Sequence, residues 1–121
     1  MHVSLICEAI GTGLFTFMVI ASDANNLADS LSLFTILLIF GGVTGGNFNP
    51  AVTIGSYVYE GHYKDCTGTR TTFWVILAQF TGSLLGLALG AFALTQYNED
   101  DGQLFIPEDR VPVLTPKDPY F

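Results

Sequence analysis

Long apolar runs with almost no charge restrict this chain more than any other feature of its sequence. No charged side chain occurs between residues 71 and 98, and Asp29 is the only one between residues 27 and 59. A helix of about 20 predominantly apolar residues crosses the hydrocarbon core of a bilayer. Soluble domains typically carry about 25% charged residues, whereas this chain carries 12%. The chain is therefore predicted to be an integral, multi-pass membrane protein whose first partner is the lipid bilayer.

The charge balance and the reactive side chains argue against several function classes. The chain has 4 Lys and Arg residues against 11 Asp and Glu residues, a net charge of −7. So few cations cannot neutralise a run of phosphates, so no nucleic-acid partner is expected. Two cysteines and two histidines without ligand spacing predict no metal site and no cofactor. Because no nucleophile–base pair, phosphate loop or carboxylate dyad stands out, the chain is not expected to be an enzyme.

Three apolar segments are candidates for membrane-spanning helices. Residues 3–21 have about the required length, and a signal peptide is disfavoured because there is no basic n-region and Glu8 interrupts the apolar run. Residues 27–40 would rise about 21 Å as a helix, which is less than the hydrocarbon thickness of roughly 30 Å. Either this helix begins in the preceding polar turn, where Asn25 or Asn26 would cap it, or it is a shortened span. Residues 71–97 form the strongest candidate.

A glycine-rich stretch, GGVTGGNFNP at residues 41–50, separates the second apolar segment from the next. Its glycines predict that the helix does not continue there. Non-helical backbone at membrane depth survives only where it is buried in protein or lines a wet cavity. Asn49 and Pro50 suit the N-cap and first position of a new helix. That helix would rise only about 15 Å by residue 59, so a re-entrant half-helix is predicted.

The last apolar segment and the residues after it complete the domain organisation. Gly82, Gly86 and Gly90 recur at a spacing of four, the pattern that lets membrane helices approach closely. Gln79, on the same helix, is expected to face inward. Residues 98–121 are acidic and hold four of the five prolines. We therefore divide the chain into a membrane domain at residues 1–97 and an acidic, proline-rich extramembrane segment at residues 98–121.

Motifs in three places resemble the aquaporin and glycerol-facilitator family. Residues 45–53, GGNFNPAVT, are similar to the re-entrant loop of the family's first repeat. Glu8 followed by Gly11 and Thr12 resembles its first-helix signature, and AQFTG at residues 78–82 resembles its third-helix signature. The resemblance implies an all-α membrane protein with half of an aquaporin-like fold, three transmembrane helices plus one re-entrant half-helix. It also implies that the N-terminus and the loop at residues 60–70 face the cytosol.

The resemblance further implies a site at the re-entrant loop. The pore-lining candidates are Gly45, Gly46, Asn47, Phe48, Asn49, Pro50 and Ala51. The half-helix N-terminus would carry a partial positive charge of about half an electron, and Asn49 would offer its side-chain NH2 to a passing water. Glu8 and Gln79 would support the loop. The alternative interpretation of Glu8 is a proton-relay carboxylate, and Gly82, Gly86 and Gly90 are assigned to helix packing.

Some positions depart from the family pattern. The Asn-Pro-Ala-Arg motif of the second repeat is not found. Asp29 lies close to the position from which the family's second helix contributes an aromatic or apolar side chain to the constriction. Alternatively, Asp29 lies at the exposed end of its helix, beside the polar turn at residues 22–26. Asn47 stands where the family often has His.

Two functional hypotheses follow from these residues. The first is half of an aquaporin-type channel for water or small neutral solutes, which needs a second repeat to close the pore. The alternative is a structural membrane subunit of a larger multi-chain complex, with an aquaporin-like fold and no conduction. The expected partners are a second aquaporin-like repeat or other membrane subunits, and a homo-oligomer is a further alternative. The plasma membrane, the vacuole and the mitochondrial inner membrane are all compatible locations.

Overall fold

The computed structural model describes residues 2–22, 25–97 and 104–105. In chain order the helices are α1 (His2–Ala21), α2 (Asn26–Thr44), α3 (Pro50–Tyr59) and α4 (Cys66–Leu94), with a 3-10 turn at His62–Lys64 before α4. Two short strands, β1 (Gln96–Tyr97) and β2 (Leu104–Phe105), pair antiparallel after α4. Helices α1, α2 and α4 are long and apolar enough to cross a membrane. The predicted architecture of three spanning helices and one short half-helix is confirmed.

Helices α1 and α4 pack through direct contact of their backbones. The three glycines at a spacing of four on α4, Gly82, Gly86 and Gly90, are all buried. A methyl group built on Gly82 would overlap the carbonyl oxygen of Ala9, and one on Gly86 would overlap the carbonyl oxygen of Gly13. Small residues permit this closeness, which maximises van der Waals contact where the lipid offers no hydrophobic driving force.

The prediction that the chain leaves the helix at residue 41 is wrong. Helix α2 continues through two glycines to Thr44, and Gly45 is the first residue in the left-handed region, with φ of 86°. A glycine inside a helix costs only about 1 kcal/mol, which is too little to end it, whereas a left-handed glycine cap does end it. Asn25 caps the other end by accepting from two backbone N–H groups. With 19 residues, α2 rises about 28 Å and spans the bilayer.

The boundaries of α4 also differ from the predicted residues 71–97. The helix begins at Cys66, because the Asp65 side chain accepts from the Gly68 N–H and caps it, and it ends at Leu94. The polar loop before it is correspondingly shorter than predicted. Of the predicted extramembrane segment at residues 98–121, only the strand Leu104–Phe105 belongs to the described residues.

Candidate functional site

The chain reverses direction between α2 and α3 through a loop of five residues, 45–49, which we call the re-entrant loop. Gly45 and Gly46 have φ of 86° and 76°, a region that side-chain-bearing residues rarely adopt. A methyl group on Gly46 would also lie 2.8 Å from Cδ2 of Leu37. The Gly46 N–H donates to the Thr44 hydroxyl at 2.9 Å. Glycine is therefore required at both Gly45 and Gly46 for the chain to turn back into the membrane domain.

Phe48 anchors the re-entrant loop with its ring. It is the one residue other than glycine with positive φ in the described part of the chain, at 43°, and the whole residue is only 2% exposed. The ring lies against the backbone of Gly11, where an added Cβ would come within 2.5 Å of it, and meets Phe40 edge-to-face. A strained dihedral costs about 1–3 kcal/mol, and burial of a Phe side chain offsets this with about 1.5–3 kcal/mol.

The carboxylate of Glu8 holds the backbone of the re-entrant loop. Its Oε1 accepts from the Asn47 N–H at 3.3 Å, and its Oε2 accepts from the Phe48 N–H at 2.9 Å and from Gln79 Nε2 at 2.7 Å. A charge at the centre of a spanning helix costs about 2.5–3.5 kcal/mol on insertion scales. Hydrogen bonds to a charged group contribute about 1.5–3 kcal/mol each. Three of them exceed the cost, so the carboxylate is a net stabiliser of this loop.

Gln79 and Thr53 extend this network to the half-helix. Gln79 is fully buried, and its Nε2 also donates to the Thr53 hydroxyl at 2.8 Å. The Thr53 hydroxyl lies within hydrogen-bond distance of the Asn49 carbonyl, at 3.1 Å, and of Gln79 Oε1, at 3.2 Å. Side chains from α1, α3 and α4 therefore meet behind the loop. Among the described residues, every buried side-chain nitrogen or oxygen has a hydrogen-bond partner.

Asn49 begins the half-helix and leaves its amide group free. Its backbone is extended and its Oδ1 accepts from the Ala51 N–H at 2.8 Å. Pro50 occupies the first helical turn, where a missing N–H costs nothing. Asn49 is exposed, and its NH2 group donates to no other described residue. The positive end of the α3 dipole and a free donor are thus presented together.

The carbonyl groups of the re-entrant loop are also without partners. No described residue donates a hydrogen bond to the carbonyl oxygens of residues 45–48. Gly45, Asn49, Ala51, Val52 and Gly55 are all exposed on the loop and the half-helix, and we call these five residues the open face. Unpaired backbone groups at membrane depth are tolerated only against protein or water. At membrane depth the loop carbonyl groups therefore need protein or water as their neighbour.

A polar cleft of about 560 Å³ lies beside the loop, where the ends of α1, α3 and α4 meet. Its lining includes Thr44, Gly45, Asn47 and Thr53, with Ser4, Ser56 and Thr71 from the three helices. Glu60, His62 and Asp65 also line it, so the cleft combines neutral groups that hydrogen-bond polar molecules with ionisable side chains. Within the described residues, no group of three or more His, Cys, Asp or Glu could hold a metal ion.

Asp29 lies at the end of its helix, where one of the two predicted alternatives puts it. It occupies the first turn of α2, and its Oδ1 accepts from the Ser22 hydroxyl at 2.6 Å. This contact ties the end of α1 to the start of α2.

The structure brings together most of the residues singled out from the sequence. Glu8, Gln79, Asn47, Phe48 and Asn49 converge on one loop, and Gly82, Gly86 and Gly90 line the α1–α4 contact. The sequence analysis did not assign the hydrogen bonds of Thr53 or the contact between the Phe48 ring and Gly11. Residue spacing could have indicated both, since Thr53 is four residues from Asn49 on one helix face and Gly11 is three residues from Glu8.

Comparisons with known proteins agree with this architecture. The family model described as "Major intrinsic protein" matches residues 2–115. The propanediol uptake facilitator PduF of Salmonella typhimurium is 35% identical over 100 residues, which cover 72% of this chain and 36% of that protein. Aquaporin-8 of Mus musculus is 34% identical over 94 residues, covering 69% of this chain and 34% of that protein. No solved structure gives a significant match.

The chain thus spans about a third of the length of the curated relatives it matches. The family match covers almost all of the chain, and three helices are apolar enough to cross a bilayer. Together they identify an integral, multi-pass membrane protein that belongs to the major intrinsic protein family.

Proposed function

We propose that this chain forms one wall of a channel for water or small neutral solutes, and that a second repeat closes the pore. Two relatives carry the names of a propanediol uptake facilitator and an aquaporin, which supports this class of solute. The observation that carries the proposal is the exposed N-terminus of α3, where the Asn49 amide stands beside unpaired loop carbonyls. Hydrogen-bond donors and acceptors are fixed side by side there, at a membrane depth where unpaired polar groups need water or protein as a neighbour and cannot face lipid.

The arrangement supports passage of neutral molecules by exchange of hydrogen bonds. The Asn49 NH2 donates to a solute oxygen, and the carbonyl groups of Gly45, Gly46 and Asn47 accept its hydrogens. Phe48 is only 2% exposed as a whole residue, so in this proposal it anchors the loop and does not line the path. The positive end of the half-helix dipole raises the energy of a cation at the same place. A neutral solute therefore replaces its lost water contacts there, whereas a cation is also repelled by the positive end of the half-helix dipole.

Glu8 and Gln79 serve the channel as supports in this proposal. They lie behind the loop, with exposures of 1% and 0%, and they hold the backbone whose carbonyls form the path. All of these groups belong to residues 1–97, the proposed membrane repeat.

One repeat supplies only part of a pore. The 10 residues of α3 rise about 15 Å, roughly half of the hydrocarbon thickness. The remaining half of the path needs a wall that enters from the opposite surface. Inverted repeats that meet at the midplane build such sites in many transporters.

Osmotic shrinkage of proteoliposomes tests the proposal. The chain is reconstituted together with the part of mouse aquaporin-8 that it does not match, which serves as the second repeat. We expect water permeability well above that of the lipid alone. It should be lost in Asn49→Asp, which keeps the capping oxygen of α3 but removes the NH2 group and adds a charge.

The matched control is Asn26→Asp, which makes the same change in the first turn of α2, away from the loop. It should conduct like the unmodified chain. If the two parts assemble and permeability stays at the lipid background, the channel proposal is wrong and a structural membrane subunit is the better interpretation.

A further inference from the structure

We propose that the polar cleft of about 560 Å³ between α1, α3 and α4 is a binding site for a neutral polyol of the size of a six-carbon sugar alcohol. The ligand binds there and is not carried across the membrane at this site. The inference does not rest on the proposed function. It is carried by hydroxyl groups that converge on the cleft without hydrogen-bond partners.

Hydroxyl groups without hydrogen-bond partners are concentrated in the polar cleft. Among the described residues, most Ser and Thr hydroxyls bond another group, usually the carbonyl four residues earlier in the chain. The hydroxyls that form no hydrogen bond with a described residue all belong to residues of the cleft lining, namely Ser4, Ser56, Thr67 and Thr71. Since a hydroxyl both donates and accepts, the cleft presents unused donors and acceptors on α1, α3 and α4.

The inner end of the cleft, at the re-entrant loop, adds an amide and a carbonyl group to this set. Asn47 and Gly45 both line the cleft. The side-chain amide of Asn47 forms no hydrogen bond with a described residue, since only its backbone N–H is bonded, to Glu8. The Gly45 carbonyl oxygen accepts from no described residue. A ligand with several hydroxyl groups therefore finds partners at both ends of the cleft.

The polar cleft and the open face lie on different sides of the half-helix. On α3 the cleft is lined by Thr53, Ser56 and Tyr57. Successive positions on a helix point in directions about 100° apart, and the α3 residues of the open face, Ala51, Val52 and Gly55, do not line the cleft. Gly45 is the one residue shared by the two surfaces. A molecule bound in the cleft is thus behind the half-helix and outside the proposed path.

The charges of the cleft favour a neutral ligand. Its ionisable lining residues are Glu60, His62 and Asp65, and no Lys or Arg of the described residues lines it. The Glu60 Oε2 and His62 Nε2 atoms pair at 2.6 Å, and Asp65 caps α4. An anion finds no free cationic group there, and a cation competes with partners that are already in place. Neutral hydroxyl groups meet the unpartnered groups directly.

The size and the apolar parts of the cleft suit a polyol of several carbons. Its volume lies within the range of about 300–1,000 Å³ that is usual for small-molecule sites. Val75 and the ring of Tyr57 add apolar surface to the lining, and the ring is fixed by a hydrogen bond to Thr69 at 3.0 Å and an edge-to-face contact with Tyr63. A polyol carries C–H groups between its hydroxyls, so it complements both kinds of lining.

Saturation-transfer NMR with sorbitol tests for the site. The chain is prepared in micelles of deuterated dodecylphosphocholine, whose headgroup carries no sugar that would compete. We expect transfer of saturation from the chain to sorbitol, and shifts of the Ser56 and Thr71 backbone amides as sorbitol is added. No transfer to sorbitol means that only water fills the cleft and overturns the inference. Shifts confined to residues outside the cleft lining also overturn it.

Paired variants test which hydroxyls bind sorbitol. Ser56→Ala/Thr71→Val removes two unpartnered hydroxyls of the cleft. Two neutral hydrogen bonds are lost, so the Kd for sorbitol should rise about tenfold, which corresponds to about 1.4 kcal/mol. The matched control is Ser30→Ala/Thr35→Val, whose hydroxyls lie on α2 and bond carbonyls of their own helix. It should bind sorbitol like the unmodified chain, and equal Kd values for the two double variants would refute the proposal.

Asn49→Asp separates this inference from the proposed function. Asn49 belongs to the open face and does not line the cleft, so sorbitol binding should be unchanged in this variant. Loss of binding would place sorbitol at the open face and refute the cleft site, while the channel proposal would stand. Sorbitol binding in the cleft without water permeability of the reconstituted pore would refute the channel alone.

Discussion

Replacement of Glu8 by Gln changes one of the two oxygen atoms that hold the re-entrant loop into an NH2 group. The amide oxygen of Gln can take the place of Oε2, which accepts from both Phe48 and Gln79. The NH2 group then takes the place of Oε1 and faces the Asn47 N–H, which is 3.3 Å away in the native chain. A hydrogen bond becomes a contact between two donors, and the Asn47 N–H is left without a partner.

The size of the effect follows from this geometry. A fully buried donor left unsatisfied costs about 1–3 kcal/mol, and each 1.4 kcal/mol changes an equilibrium about tenfold. Because the Asn47 N–H is only part-buried, the lower end of that range applies, and local opening of the loop at Asn47 should increase about 5-fold. Global stability should change less, because removal of the charge from the membrane recovers about 2.5–3.5 kcal/mol, which offsets part of the loss from the weaker hydrogen bonds that a neutral amide makes to Phe48 and Gln79. The loop should loosen while the helix bundle stays folded.

Hydrogen exchange of the Asn47 and Phe48 amides, measured by NMR in detergent micelles, checks this expectation. Asn47 should exchange faster by the stated factor, and Phe48 by less, because it keeps a neutral acceptor. Thr12→Val is the control, since Thr12 is buried one turn along α1 and its hydroxyl bonds only the Glu8 carbonyl. If Glu8→Gln leaves both amides as protected as Thr12→Val does, the carboxylate does not hold the loop.

Other substitutions have equally definite outcomes, each read as a shift of the thermal or denaturant unfolding midpoint in detergent. Gly82→Ala forces a methyl group against the Ala9 carbonyl and should cost at least about 1–3 kcal/mol, the usual cost of overpacking. Its control is Gly42→Ala, whose methyl group meets no atom within 4 Å and which should be neutral or stabilise by up to about 1 kcal/mol. Equal unfolding midpoints of the two variants would contradict the α1–α4 contact. Phe48→Ala should cost about 3–5 kcal/mol, and a loss below 1 kcal/mol would contradict the buried anchor. Asn49→Ala removes the N-cap of α3 and should cost about 0.5–2 kcal/mol, with an unchanged midpoint counting against that cap.

The helices and helix caps that depend only on neighbouring residues can be predicted from the sequence. Helix α1 was expected over residues 3–21 and occupies His2–Ala21, because an apolar run of spanning length has no competing signal inside it. The half-helix begins at Pro50, as expected, because an Asn side chain caps a helix and a proline fits its first turn in any context. The end of α2 was missed, because glycine content measures only a weak local preference.

The contacts that hold the site together depend on residues far apart in the chain. Glu8 and Gln79 lie 71 positions apart, and nothing local to either predicts that Gln79 connects Glu8 to Thr53. Two glycines also show that tertiary contacts cannot be predicted from residue type. Gly42 and Gly82 are chemically identical, yet one has open space where its Cβ would stand and the other touches the Ala9 carbonyl. A missing side chain carries no information about its neighbours, so only the packing of α1 against α4 distinguishes the two.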